Sequence, residues 1–242
     1  MLSGALGVGG AVISTPGIRL LGAPAFVAVG TTLPSILPGA VSGTIRYARD
    51  HLVDWRVVAG AAPAGVVAAV VGSLLSHRVP GDGHWLMVLT AVVIGVTAVR
   101  MVRTPADRRG DVPVRHRLPV VAAVGAAGGL LSGLLGVGGG LALVPGFNQV
   151  LRLPLKATVA TSLACVGILA VPSTVTHAVL GDIDWRLAFL LALGVVPGAR
   201  LGASLALRAS DRRLRSAVAG FLGLLAVVDG VSELVAALRW RR

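Results

Sequence analysis

A single cysteine, Cys165, in a chain of 242 residues leaves no internal disulfide and no cysteine-built metal site. It also leaves the redox compartment unread. Charge is scarce as well, with Asp, Glu, Lys and Arg making up 13% of the residues and aromatic side chains 4%. There is no Walker phosphate loop, and no strand or downstream acidic residue frames the glycine-rich stretches as a dinucleotide fingerprint. No Ser/His/Asp or metal-ligand cluster falls within the apolar runs, and Met is scarce, which argues against catalysis and metal handling. Residues 1–18 lack a basic n-region and do not look like a cleaved signal peptide.

What fills the chain is apolar: 55% of the residues are hydrophobic and the mean hydropathy is +0.86. No soluble domain of this size needs so much for its core, so lipid is the expected solvent. A bilayer is crossed by about 20 apolar residues. Uncharged runs of that length cover 20–45, 57–76, 118–151 and 157–176, and shorter ones end at Arg100, Arg200 and Asp229. The expectation is an all-α polytopic membrane protein with seven or eight spans.

The formal charge of +12 would suggest nucleic acid in a soluble protein, but here the basic residues gather in the gaps between apolar runs. That is a topology signal. Eight plain spans put about 13 basic residues on the side of the 103–117 stretch and about 8 opposite. Arg208, Arg212, Arg213 and Arg215 fall among the latter. The linker and both termini are therefore expected in the cytoplasm, and the protein in the cytoplasmic membrane.

Aligned on itself, the chain repeats. Ser3, Gly4, Leu6, Gly7, Val8, Gly9, Gly10, Pro16 and Gly17 recur at an offset of 129 as Ser132, Gly133, Leu135, Gly136, Val137, Gly138, Gly139, Pro145 and Gly146. One inserted residue later, at offset 130, Thr31 matches Thr161, and Asp54, Trp55 and Arg56 match Asp184, Trp185 and Arg186. Two homologous repeats follow, 1–103 and 118–242, joined by a basic linker at 104–117. An even number of spans per copy makes them parallel and an odd number inverted. The apolar residues of 118–130 have no counterpart before Met1, so the natural first span is expected to begin upstream.

Glycines and prolines at the density of Gly136, Gly138, Gly139, Gly140 and Pro145, echoed by Gly7, Gly9, Gly10 and Pro16, should break a helix. Inside a membrane, broken helix is tolerated where it is buried in protein or lines a cavity. Its exposed amides make an anion cradle; the competing reading is close helix packing through small residues. Thr31 and Thr32, matched by Thr161 and Ser162, could donate to an oxyanion or bond their own helices. Pro34, Pro38 and Pro172 suggest further irregular helix at that depth. Arg200, within a span and matched by Val70, would attract an anion or snorkel to the interface. His177 could couple protons or be a plain interfacial histidine. Asp229 and Glu233 read as structural, and the Asp-Trp-Arg corners as interfacial anchors whose Asp starts the next helix.

These residues resemble the TauE/SafE sulfite-exporter family, also called TSUP. Its pattern is Gly-x-Gly-Gly-Gly followed by proline in both halves, a Thr/Ser-bearing second helix and an Asp-Trp corner. The second half matches at Gly136, Gly138, Gly139, Gly140, Pro145, Thr161, Ser162, Asp184 and Trp185; in the first, Ala11 replaces the last glycine and the opening helix is short. The resemblance implies a secondary transporter or exporter of sulfite, a sulfonate or a related small anion, with the lipid bilayer as its other partner and no cofactor. A non-transporting membrane assembly factor and an intramembrane enzyme are the alternatives.

Overall fold

The computed structural model describes residues 22–76 and 118–210 throughout, with single positions among 7–18, at 78, among 92–99 and among 214–223. These residues are helical, with no strand among them. Helix α1 is Ala25–Arg49, α2 Trp55–Ser76, α3 Leu118–Leu135 and α4 Gly140–Pro145, which a π turn extends over Gly146–Val150; α5 is Leu155–Leu180 and α6 Trp185–Arg208. Five of them, α1, α2, α3, α5 and α6, are long and apolar enough to cross a membrane. The further spans expected from the sequence fall on 1–17, 79–103 and 211–242, mostly outside the described residues, as do Asp229 and Glu233.

Polarity is distributed as lipid demands. α6 exposes Phe189, Leu190, Leu193, Leu201 and Leu205, where a helix at a water surface would carry polar side chains. Thr31, Thr32, Ser35, Thr161, Ser162, Ser173 and His177 are buried instead. The two Asp corners start helices as expected. Asp54 Oδ1 accepts from the amides of Arg56 and Val57 at 3.0 and 3.2 Å, and Asp184 Oδ1 from those of Arg186 and Leu187 at 2.9 and 3.1 Å. Trp55 and Trp185, next in sequence, are exposed, as headgroup anchors would be.

The expectation of irregular helix at Pro34, Pro38 and Pro172 is not met, because α1 and α5 run unbroken through them. Proline removes a donor, but a spanning helix packed against neighbours tolerates the loss. Both helices are flanked by others over that stretch, α1 by α5 and α6, and α5 by α2.

The close approaches fix the direction of each helix. Gly60 lies against Leu118 and Val121, Gly65 against Gly125, and Gly72 against Leu130, so α2 and α3 run parallel. α5 runs with them: Thr161 meets the corner at Asp54, and Leu169 meets Gly65. α1 and α6 run the other way, with Gly30 against Asp182 and Gly39 against Val195 and Ala199. The α2–α3 seam is built from small residues at four-residue spacing. Ala61, Gly65 and Ala69 face Gly125, Gly129 and Gly133, and a Cβ on Gly129 would strike the Gly65 carbonyl.

Lys156 Nζ donates to the Leu207 carbonyl at 2.9 Å, which brings the end of α6 beside the start of α5. Arg208 therefore stands at the end where α2, α3 and α5 begin, the linker's end. Counting plain spans set it opposite. The difference arises between α3 and α5, where the chain turns back instead of crossing again.

Candidate functional site

The turn back is made by glycine. Gly136, Gly138 and Gly139 take φ values of +64°, +75° and +73°, a left-handed conformation that costs an L side chain about 1–2 kcal/mol. α3 stops at Leu135, and α4 starts at Gly140. From there the chain returns along α3: Gly139 abuts Gly128, Leu143 also meets Gly128, and Gly146 meets Val124. α4 and the π turn, six and five residues, cover about 16 Å, roughly half the hydrocarbon thickness of about 30 Å. The expected interruption at Gly136–Gly140 is thus present. Gly7 has the same left-handed backbone, φ +67°, while Gly9 and Gly10 lie outside the described residues.

Close packing accounts for part of the glycine pattern. A Cβ at Gly136 would lie 2.5 Å from the Val29 carbonyl oxygen, and one at Gly7 would lie 2.7 Å from that of Val159, the residue matching Val29 at offset 130. At Gly138 the nearest atoms are side-chain methyls, Val166 Cγ1 at 2.9 Å and Ile36 Cδ1 at 3.2 Å. Packing leaves the loop amides unexplained. Residues 136–140 are all buried, and among the described residues no hydrogen-bond acceptor is found for the N–H groups of Val137, Gly138 and Gly139.

The four hydroxyls singled out from the sequence are buried and bond across the two halves. The amide of Asp184 donates to Thr31 Oγ1 at 2.9 Å, and the amide of Asp54 donates to Thr161 Oγ1 at 3.0 Å. Thr32 Oγ1 donates toward the Gly136 carbonyl at 3.1 Å, and Ser162 Oγ to the Gly7 carbonyl at 2.9 Å. Each bond has its counterpart at the matched positions. Thr32 also lies 2.9 Å from the Val29 carbonyl, so its one proton is committed to these oxygens. The 3.1 Å contact between Thr15 and Thr32 is then donated by Thr15. Thr31 and Thr161 accept with their oxygens and keep their O–H protons for a further acceptor.

Arg200 is not brought to this loop; it is exposed on α6. His177 is fully buried in the protein, with Nδ1 2.8 Å from Asp182 Oδ2 and Nε2 3.0 Å from the Gly133 carbonyl. Sequence reasoning passed over Asp182. The signal was Gly181 after the helix: at φ +80° it ends α5 with a turn in which the Asp182 amide donates to the His177 carbonyl at 3.0 Å, and the carboxylate comes back to the imidazole.

Apolar outer faces, buried hydroxyls and a chain that reverses between crossings define a multi-pass helical membrane protein. The family model for sulfite exporter TauE/SafE matches residues 1–228. A probable membrane transporter protein of Xylella fastidiosa is 28% identical over 225 residues, covering 90% of this chain and 85% of its own. The probable membrane transporter protein YunE of Bacillus subtilis is 27% identical over 225 residues, covering 83% and 80%. An undecaprenyl-diphosphatase of Anaeromyxobacter dehalogenans is similar over 97 residues only, 40% of this chain. No solved structure matches. The chain belongs to the TauE/SafE family of membrane transporters.

Proposed function

We propose that this protein is a secondary transporter that exports a small oxyanion, sulfite or an organosulfonate, across the cytoplasmic membrane, and that the anion is held at the loop of Gly136, Gly138, Gly139 and Gly140. The buried, unpartnered amides of Val137, Gly138 and Gly139 carry this reading. Successive N–H groups in left-handed glycine turns form an anion-binding concavity. Sulfite presents several acceptor oxygens and no donor of comparable strength, so amides and the O–H group of Thr31 replace part of its hydration shell, while Thr161 stands in the same relation to the counterpart at Gly7. Without a full countercharge, binding stays weak enough for release. Thr32 and Ser162 hold the loop and its counterpart at Gly7 in shape. Arg200, from its exposed position, adds only long-range attraction.

The crossed hydrogen bonds support reading 1–103 and 118–242 as two copies of one unit on either side of the 104–117 linker. α1 and α5, and likewise α2 and α6, occupy matched positions and run in opposite directions, which favours an inverted pair. The ends carrying Arg46, Arg49, Arg56, Lys156 and Arg208 share one side with the linker, against Arg78 and Arg186 at the other. That asymmetry favours a cytoplasmic linker; the expected cytoplasmic C-terminus lies outside the described residues. Uptake of radiolabelled sulfite by proteoliposomes containing the purified protein tests the function. Counterflow well above that of protein-free liposomes is expected, and none would refute an anion of this class.

A further inference from the structure

The pair formed by His177 and Asp182 is more than an end cap. α3 stops at Leu135, and the turn at Gly136 leaves the Gly133 carbonyl without the amide four residues on that a continuing helix would supply. His177 Nε2 fills that place at 3.0 Å. A carbonyl only accepts, so Nε2 carries a proton. Nδ1 then faces Asp182 Oδ2 at 2.8 Å, a distance that requires one further proton between them, on either atom. With it, the pair is neutral overall, as imidazole with carboxylic acid or as imidazolium with carboxylate. Without it, a carboxylate faces a bare nitrogen lone pair, the contact is repulsive, and the buried pair carries a charge of −1.

We propose that the His177–Asp182 pair is the proton-coupling site of this transporter, and that its shared proton must be bound for the anion to occupy the loop at Gly136–Gly139. This rests on the anion reading above. The pair grips α3 one turn before that loop, and Asp182 packs on Gly30 of α1, directly before Thr31. Release of the proton places a negative charge beside the anion and loosens the clamp at once. Among the described residues, α1 and α3 bring no ionisable side chain to this end, and α2 brings Arg78 just past its last turn, which is exposed. On the α6 corner the Asp184 carboxylate is engaged in capping and Arg186 is exposed. The hydroxyls of Ser73, beside Gly133, and Thr174, one turn before His177, are buried without partners and offer polar steps for the proton. The matched positions in the other half are Tyr47 and Leu52, which cannot form such a pair. At these matched positions the device therefore exists in the second half alone.

The test is sulfite counterflow in proteoliposomes, at equal internal and external pH, across a pH series. Wild-type flux is expected to fall at least about fivefold as pH rises through the pair's titration. It should persist at the lower pH, where the proton is bound. Asp182→Asn keeps a neutral donor to Nδ1 that cannot be released, so its profile should flatten, and an imposed proton gradient should no longer drive accumulation. The titration of sulfite itself is common to both proteins and cancels in the comparison. His177→Gln, which still offers an N–H to Gly133, gives the same readout if Asp182→Asn does not fold. Wild-type pH dependence and gradient-driven accumulation retained in whichever variant folds would overturn the proposal. Nitrogen-15 NMR of the histidine in the full-length protein detects the shared proton without any substrate. If sulfite is not moved, the anion reading fails, and the pair is judged by that signal: a proton bridging Nδ1 at low pH and lost at high pH supports it, while an Nδ1 that never titrates overturns it.

Discussion

The two halves share four crossed hydrogen bonds and differ sharply past the middle helix of each. Thr31 and Thr161 each receive the corner amide of the opposite half, and Thr32 and Ser162 each reach the first motif glycine of the opposite half. Where α5 ends in His177 and Asp182, however, α1 ends in Tyr47 and Leu52. What is shared holds the two halves together. On the proposed inverted arrangement, what is unshared treats the two faces of the membrane differently, because equivalent inverted copies would offer identical groups to either side. Coupling chemistry is therefore sought where the halves differ.

Substitutions at matched positions test how far the two halves are equivalent. The largest effect is expected for Gly7→Ala and Gly136→Ala. Each forces a side chain into the left-handed region and against the backbone of Val159 or Val29, costing about 3 kcal/mol. Thermal stability in detergent, followed by size-exclusion chromatography, should fall alike in both; a loss in one alone would end the equivalence. Next come the hydroxyls. Thr32→Val and Ser162→Ala each leave a buried carbonyl short of a donor, at about 1 kcal/mol, and should lower stability more than flux. Thr31→Val and Thr161→Val cost a similar amount, about 1 kcal/mol, but Thr31→Val, beside the loop, should also weaken sulfite flux because it removes an O–H offered to the anion. If all four variants affect stability and flux in the same proportion, that division of labour is wrong. The smallest effect is expected for Arg200→Gln, exposed on α6. Stability should stay within about 0.5 kcal/mol and the apparent Michaelis constant should rise about twofold to threefold, read from initial rates at low ionic strength.

The features legible in the sequence were local. Glycine density marked the break at 136–140, and Asp before Trp marked the starts of α2 and α6, because backbone strain and capping act within a few residues. The prolines at 34, 38 and 172 misled for the complementary reason. In isolation proline interrupts a helix, and only the packing of neighbouring helices, which no local pattern records, keeps α1 and α5 whole. The partners of the four hydroxyls lie more than a hundred residues away, so the residues could be chosen but their bonds could not. Asp182 was hidden by periodicity itself: five residues from His177, it falls off the helical face that spacing arguments follow, and only the left-handed turn at Gly181 brings it back. The side on which Arg208 lies depended on the reversal after α3, which a count of plain spans does not contain.

Gly138 is the most direct probe of whether the amides of the 136–139 loop hold the transported anion. An added methyl there meets only the side-chain methyls of Val166 and Ile36, so Gly138→Ala is the loop substitution with the least backbone conflict, at about 1–2 kcal/mol for its left-handed φ. The measurement is counterflow of radiolabelled sulfite in proteoliposomes for wild type and Gly138→Ala, with equal amounts of monodisperse protein. Clear flux is expected in the wild type and at least about a tenfold loss in the variant. Wild-type flux in well-folded Gly138→Ala would contradict anion binding by these amides and return these glycines to the role of packing helices.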